Sequence, residues 1–252
     1  MMNEVDLSTP SPARVYDYLL GGTHNSEADR RVAEQVMQAW PVRELALANR
    51  RFLVAAVQHL TSLGIRQFID IGSGLPTGQN VHQVAAPDAR VLYVDNDPLA
   101  VTEGRLLLDG ETTSYIEGDL RDPQGIIDHP ELNRLLDWTA PAALLLIGMM
   151  HYIKAADDPI GIIRGLMSRL APGSYLVIST ATDELPAEMR ARIDEYYRAP
   201  NSLLVWRSWA DVEQFFDGLE LEPPGLVPVE QWPDTTATPG PWRVAAGVAR
   251  MP

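Results

Sequence analysis

The chain has 252 residues and 27.8 kDa, enough for a large hydrophobic core. With 46% hydrophobic and 21% charged residues it has the composition of an ordinary globular protein and not of a disordered chain. Lys+Arg 20 against Asp+Glu 34 leaves a net charge of -14, which repels polyanions and argues against nucleic acid as a partner, while Cys 0 removes disulfides, thiolate nucleophiles and cysteine metal sites.

The opening MMNEVDLSTPSP is acidic and Pro-rich and lacks the apolar region of a secretory signal, so a cytoplasmic location is expected. From Ala13 to about Leu63 the apolar period is helical, with breaks at Gly21-Gly22 and Trp40-Pro41. Glu44 to Leu63 is a long Ala- and Leu-rich amphipathic stretch that ends at Gly64, so residues 1–63 are expected to form a helical cap or lid on a core over 64–252. Short apolar runs then alternate with helical spacers: Gln67 to Ile71, Arg90 to Val94, Ser114 to Glu117, Ala142 to Ile147 and Ser174 to Ser179. Five strands with helix-length spacers imply a parallel sheet of βαβ units. The run around Ala142 to Met150 is far shorter than the ~20 residues of a membrane span and reads as a buried strand, so no membrane partner is expected.

Helices are expected over Leu185 to Arg198 and Ser208 to Phe216, then strands over Leu219 to Val229 and Trp242 to Ala249 joined by a Pro/Gly-rich link. Two strands with no helix between them pair antiparallel. The expected fold is therefore α/β: a Rossmann-like seven-stranded sheet, mostly parallel with an antiparallel C-terminal strand, plus an N-terminal helical extension. A homo-oligomer is left open by the sequence.

The most informative segment is Phe68-Ile69-Asp70-Ile71-Gly72-Ser73-Gly74, an apolar strand running into two glycines spaced one apart. Such a turn lets the backbone approach a ligand at the strand's carboxyl end. The next strand ends in Asp95-Asn96-Asp97, with Asp95 21 positions after Gly74, where a carboxylate in this kind of fold accepts ribose hydroxyls. The third ends in Gly118-Asp119-Leu120. Singly, each is also what a helix cap or a packing turn requires. Together they describe a receptor for an adenosine-type ligand, with ribose on Asp95 and an exocyclic amine near Asp119. A dinucleotide fingerprint would need a third glycine where Thr77 stands, and no Gly-Lys-Ser or Gly-Lys-Thr loop is present. A ligand without a pyrophosphate fits better than NAD.

At these residues the sequence resembles the class I S-adenosylmethionine-dependent methyltransferases. Asp70-Ile71-Gly72-Ser73-Gly74 looks like their first motif, Asp95 like their ribose-binding acid and Asp119 like their adenine-side acid; Pro76 stands where a further glycine is usual. Ala13-Arg14-Val15-Tyr16-Asp17-Tyr18-Leu19-Leu20-Gly21-Gly22, followed by Asn25 and Ala28-Asp29-Arg30, resembles the N-terminal signature of an actinobacterial methyltransferase family formerly counted as a domain of unknown function. Ser26 replaces its usual aromatic. The resemblance implies S-adenosyl-L-methionine as cofactor and carries no settled methyl acceptor; a small-molecule acceptor is the expectation.

Methyl transfer from a sulfonium needs no nucleophilic triad and no metal, only alignment and, for a protonated acceptor, a base. The fourth strand ends in Ile147-Gly148-Met149-Met150-His151-Tyr152, placing Gly148 and Met149 beside the cofactor, His151 as the candidate base and Tyr152 as an orienter of the acceptor. Tyr16, Tyr18, Gly22, His24 and Asn25 fall on the expected lid, and Tyr196, Tyr197 and Trp206 suggest an aromatic acceptor pocket. Asp157-Asp158 and His129 have no partners at metal-ligand spacing. Two other functions stay open on residues alone: an NAD(P)-dependent oxidoreductase on the same fold, disfavoured by Thr77, and a non-catalytic S-adenosylmethionine-binding regulator.

Overall fold

A computed structural model of the chain describes residues 7–108, 110–196, 203–240 and 243–252. Three helices come first: α1 (Pro12–Leu19), α2 (Glu27–Ala39) and α3 (Val42–Ser62). Ser11 caps α1 by accepting the Arg14 N–H, and Pro12 sits where its missing N–H costs nothing. Ser26 and Asp29 form a reciprocal capping box on α2. The chain turns out of α3 at Gly64, whose φ of 93° suits glycine.

The alternating part follows as β1 (Gln67–Ile71), α4 (Val81–Val84), β2 (Arg90–Asp95), α5 (Pro98–Leu108), β3 (Thr113–Glu117), α6 (Pro123–Ile127), α7 (Pro130–Leu135), β4 (Ala143–Ile147), α8 (Pro159–Met167) and β5 (Tyr175–Ala181). The chain closes with α9 (Ala187–Tyr196), α10 (Trp209–Glu213), β6 (Glu220–Leu221), β7 (Val227–Pro228) and β8 (Val244–Arg250). The sheet order is β3-β2-β1-β4-β5-β8-β6, with β7 also on β8. The first five strands are parallel, and β8 runs antiparallel to β5, β6 and β7. The Rossmann-like architecture read from the sequence is present, with eight strands among the described residues in place of seven. The expected strand Leu219 to Val229 is two short pieces, because Pro223 and Pro224 lack N–H donors and Gly225 turns the chain at φ 91°.

Alternation along β1 sorts the core. Ile69 and Ile71 join the cluster under α6, α7 and α8, and Phe68 joins the cluster under α3 and α5. Phe52, Leu53, Ala56, Val57 and Leu60 of α3 belong to that second cluster. At about 1.5–3 kcal/mol per fully buried large apolar side chain, this face secures α3 to the sheet. Of the expected helical extension, α3 is thus a layer of the core, while α1 and α2 pack in a cluster of their own. Those two pack through Val15, Leu19, Ala33, Val36 and Trp40 against Leu185 and Ile193 of the α9 region.

A buried ion pair ties α1 to α2. Arg14 Nε donates to Asp29 Oδ2 at 2.8 Å with both side chains almost wholly enclosed, and Arg14 Nη1 lies 3.9 Å from Asp97 Oδ2. Replacing Arg14 by Met strands the Asp29 charge, and a loss of roughly 3 kcal/mol in denaturant-unfolding free energy is expected. The R14M/D29N double variant should recover a large part of that loss, and equal stability of the single and double variants would contradict the coupling.

Candidate functional site

Three strands of the parallel sheet end at one crevice. A cavity of about 450 Å³ lies there, floored by the carboxyl ends of β1, β2 and β4 and roofed by α1 and the start of α3. Asp70, Gly72, Ser73, Gly74, Asp95, Asn96, Asp119, Leu120, Gly148, Met149, His151 and Tyr152 all line it, as do Tyr16 and Trp206.

The glycine turn is built to keep backbone at the surface. Gly72 and Gly74 have φ of 73° and 66°, and a Cβ on Gly72 would meet the Met149 sulfur at 1.9 Å. From below, Tyr115 Oη donates to the Gly74 carbonyl and accepts from Ser73 Oγ, both at 2.8 Å. Gly148 turns at φ 70°, donating its N–H to the Ser179 carbonyl at 2.9 Å and to Ser179 Oγ at 3.0 Å. Gly118 is different. It is absent from the cavity wall, and a Cβ there would meet Val94 at 2.8 Å, so it serves close packing of the chain after β3.

The carboxylates differ in how much of their capacity the protein uses. Asp95 takes the Gly74 N–H on Oδ2 at 2.8 Å and the Asp97 N–H on Oδ1 at 2.9 Å, which leaves lone pairs on both oxygens. Burial pushes its pKa up to about 6, against those two N–H groups. Asp119 accepts the Arg121 fork and Asn96 Nδ2, and the Arg121 bonds hold its pKa below the usual range. Asp70 has no hydrogen-bond partner for its carboxylate among the described residues, and burial pushes it up to about 7, with Arg50 opposing and Asp95 adding.

His151 stands in the wall beside Tyr152, the ring centroids 4.5 Å apart. Its Nδ1 accepts the Ala181 N–H at 3.4 Å, so the ring proton sits on Nε2, which has no protein partner among the described residues. Burial first and the Arg207 cation second push its pKa down to about 3. With Nδ1 engaged and the ring held neutral, Nε2 is the nitrogen left to meet an acceptor. Arg207, itself buried, donates to the Met150 and Ile153 carbonyls and so holds the turn that carries His151.

The other expected lid residues lie off the cavity. Asn25 donates to Asp17 Oδ2 at 2.8 Å and to the Gly22 carbonyl at 3.0 Å, and a Cβ on Gly22 would meet that carboxylate at 2.0 Å. His24 lies 3.7 Å from Glu103, and Tyr18 donates to Glu34 with Arg43 over its ring. These contacts lock the α1–α2 turn. Trp206 lines the cavity with its indole N–H on Asp194 at 2.9 Å. Tyr196 is described only as the last residue of α9, and Tyr197 lies outside the described residues.

Sequence reading missed Asn49 and Arg50 of α3, both in the cavity wall. Asn49 accepts from Ser179 Oγ at 2.5 Å and donates to Tyr16 Oη at 3.2 Å. The available signal was a polar residue inside an apolar helical stripe, between Ala46 and Phe52.

A parallel sheet with a glycine turn after β1 and a ribose-type acid after β2 defines the nucleoside-binding α/β class. Within it, the chain belongs to the S-adenosyl methyltransferase family, whose family model matches residues 1–252. It is similar to a DUF574 family protein from Streptomyces avermitilis, with 40% identity, TM-score 0.92 and coverage of 99% of this chain and 100% of that one. A candidate methyltransferase from Thermobifida fusca is 40% identical, with TM-score 0.89 and coverage of 98% and 96%. Magnesium protoporphyrin IX methyltransferase from Synechocystis shares the fold at 15% identity and TM-score 0.54, over 94% of this chain and 93% of that one. No curated protein matches. The protein is thus an S-adenosylmethionine-dependent methyltransferase, and the residues present fit that cofactor: open glycine backbone, spare acceptor capacity on Asp95 and an unpartnered Asp70.

The buried Asp70 sets a pH dependence. Its pKa is raised on folding from 3.8 to about 7, so the folded chain holds a proton that the unfolded chain releases. Stability from this group is therefore greatest below about pH 4 and is lost as pH rises toward 7, by on the order of 4 kcal/mol at 1.36 kcal/mol per pH unit. In the ligand-free protein, Asp70→Asn should raise the thermal midpoint at pH 8, with the gap closing toward pH 4. A pH-independent gap would contradict the assignment.

Proposed function

We propose that the protein transfers the methyl group of S-adenosyl-L-methionine to a small, largely apolar acceptor bearing an oxygen or nitrogen nucleophile. The observation that carries this reading is one continuous cavity with two characters. One part of its wall is the acids Asp70, Asp95 and Asp119 at the strand ends, and the other is Trp40, Val42, Leu45, Tyr152, Leu204 and Trp206. A charged, adenosine-bearing molecule suits the first part and an apolar molecule the second.

When bound, the cofactor supplies an electrophilic methyl carbon and a neutral thioether leaving group, so the protein's share is alignment and exclusion of water. Asp95 accepts the ribose hydroxyls on the lone pairs that Gly74 and Asp97 leave over. Asp119 and Asn96, backed by Leu120, face the adenine. Gly72, Ser73 and Gly74 pass under the cofactor, with Gly118 keeping the neighbouring turn tight. Gly148 and Met149 flank the methionine end. His151 presents Nε2–H to the acceptor's heteroatom and orients its lone pair, while Tyr152 and Trp206 hold its apolar body, with Tyr196 nearby at the end of α9. Tyr16 covers the site from α1, and Tyr18, Gly22, His24 and Asn25 hold that cover in place.

The acceptor is a small molecule and not a nucleic acid, because a chain of net charge -14 repels a polyanion. Among the described residues no helix is long and apolar enough to cross a membrane, and the reading places the enzyme in the cytoplasm.

Calorimetry with S-adenosylmethionine, S-adenosylhomocysteine and NAD tests the cofactor half. Binding of the two sulfur ligands but not NAD is expected, and Asp95→Asn should weaken it 10- to 100-fold, the worth of hydrogen bonds to a charged group. A screen of small aromatic hydroxyl and amine acceptors for methyl transfer tests the other half. On an acceptor so found, His151→Ala should lower kcat/KM about tenfold, and the wild-type profile should lack a limb near pH 6.5. Such a limb, abolished in H151A, would restore the base role.

A further inference from the structure

Gly148, at the end of β4, keeps one point of the cavity wall open. A Cβ on Gly148 would stand 3.3 Å from Asn49 Nδ2 and 3.8 Å from His151 Cε1, and among the described residues nothing else beyond its chain neighbours comes within 4 Å. Both flanking side chains line the cavity, and each has a donor to spare. Asn49 Nδ2 gives one hydrogen to Tyr16 Oη, and its second has no partner among the described residues. His151 Nδ1 accepts the Ala181 N–H, which leaves the N–H on Nε2, the nitrogen bonded to that same Cε1.

The point is therefore flanked by donors, and no carboxylate among the described residues lies within 4 Å of it. The acids of the wall stand elsewhere: Asp70, Asp95, Asp97 and Asp119 at or just after the ends of β1, β2 and β3, and Asp157 with Oδ2 on the Lys154 N–H. Tyr16 already donates its hydroxyl to the Ala46 carbonyl, and the wall beyond is apolar. A hydroxyl or an ammonium, which must lose a proton before it attacks, meets no base there. A carboxylate arrives with lone pairs and no proton, and it takes charge-assisted hydrogen bonds from two N–H groups.

The geometry points to a carboxylic acid as the methyl acceptor, its carboxylate held over Gly148 by Asn49 Nδ2–H and His151 Nε2–H and its apolar body against Tyr152, Leu204 and Trp206. This rests on the function proposed above and narrows its acceptor to one class. In the step, a carboxylate lone pair forms the bond to the methyl carbon while the methyl–sulfur bond breaks and leaves its pair on sulfur. A methyl ester and a neutral thioether result, and no proton moves. Two opposite charges cancel, so an apolar wall that solvates charge poorly favours the products.

The test is calorimetry of the full chain saturated with S-adenosylhomocysteine, using benzoate and 3-phenylpropanoate as acid probes and benzamide and benzyl alcohol as neutral ones. The acids should bind about tenfold more tightly than the neutral probes, the worth of a hydrogen bond to a charged group. Asn49→Asp keeps the oxygen that Ser179 uses and puts a second oxygen in place of the donor. It should weaken the acids about tenfold, and benzamide and S-adenosylhomocysteine less than twofold. With methyl-labelled S-adenosylmethionine, the acid product should release labelled methanol in mild alkali, as an ester does and an ether or a methylamine does not. Equal or absent binding of acid and neutral probes, an alkali-stable product, or transfer to phenol or aniline but not to the acids overturns the carboxylate and leaves methyl transfer standing. A loss in N49D as large for S-adenosylhomocysteine as for the acids gives the donors to the cofactor and likewise overturns it. Failure of wild type to bind S-adenosylhomocysteine overturns the cofactor reading itself. Should N49D fail to fold, His151→Phe, which removes the other donor, is judged by the same comparison.

Discussion

The site depends on one topological fact: β1 and β4 lie side by side while the chain leaves them in opposite directions. After β1 it moves outward to β2, and after β4 it moves the other way to β5. Right-handed crossovers then put α4 and α5 on the α3 side of the sheet and α8 on the other, so neither α4 nor α8 fills the gap between β1 and β4 at the strand ends. Polar groups at those ends face a cavity and not the core. The candidate cofactor residues read from the sequence stand in the last two residues of a strand or in the turn that follows it.

That arrangement lets the fold bury carboxylates without matching them all. Asp119 has its arginine fork and Asp95 has two backbone N–H groups, whereas Asp70 has neither. Leaving a buried acid unsatisfied costs free energy that the two apolar clusters must offset. The same economy shows on the acceptor side. Arg207 spends its donors on the carbonyls of the turn that carries His151, and Ala181 takes up one nitrogen of that ring, so the imidazole is held with a single free donor.

The N-terminal signature divides along the same lines. Arg14, Asp17, Asn25 and Asp29, which read as a family mark, make contacts among themselves that fasten α1 to α2. Only Tyr16 of the expected aromatic pair reaches the cavity, because helical spacing turns Tyr18 toward Glu34 and Arg43. Gly118 and Gly22 likewise read as ligand or hinge glycines but sit where a Cβ would collide with neighbours. A glycine needed for space and one needed for ligand approach look identical in a chain, since both are marked by the same missing atom.

The sequence by itself determined the alternation of strands and helices, the glycine turn after β1 and the acids at the ends of β1 and β2 and just after β3. These are local properties: hydrophobic period and turn chemistry act over a few residues, and parallel strands bring their carboxyl ends to one edge whatever else the chain does. Tertiary packing alone places α3 in the core, brings Asn49 and Arg50 into the cavity wall and sets the His151 Nδ1 against the Ala181 N–H. Each of those depends on what a side chain meets across the fold, as Asn49 meets Ser179 130 residues away, and burial and charge at such contacts follow from packing, which no local pattern encodes.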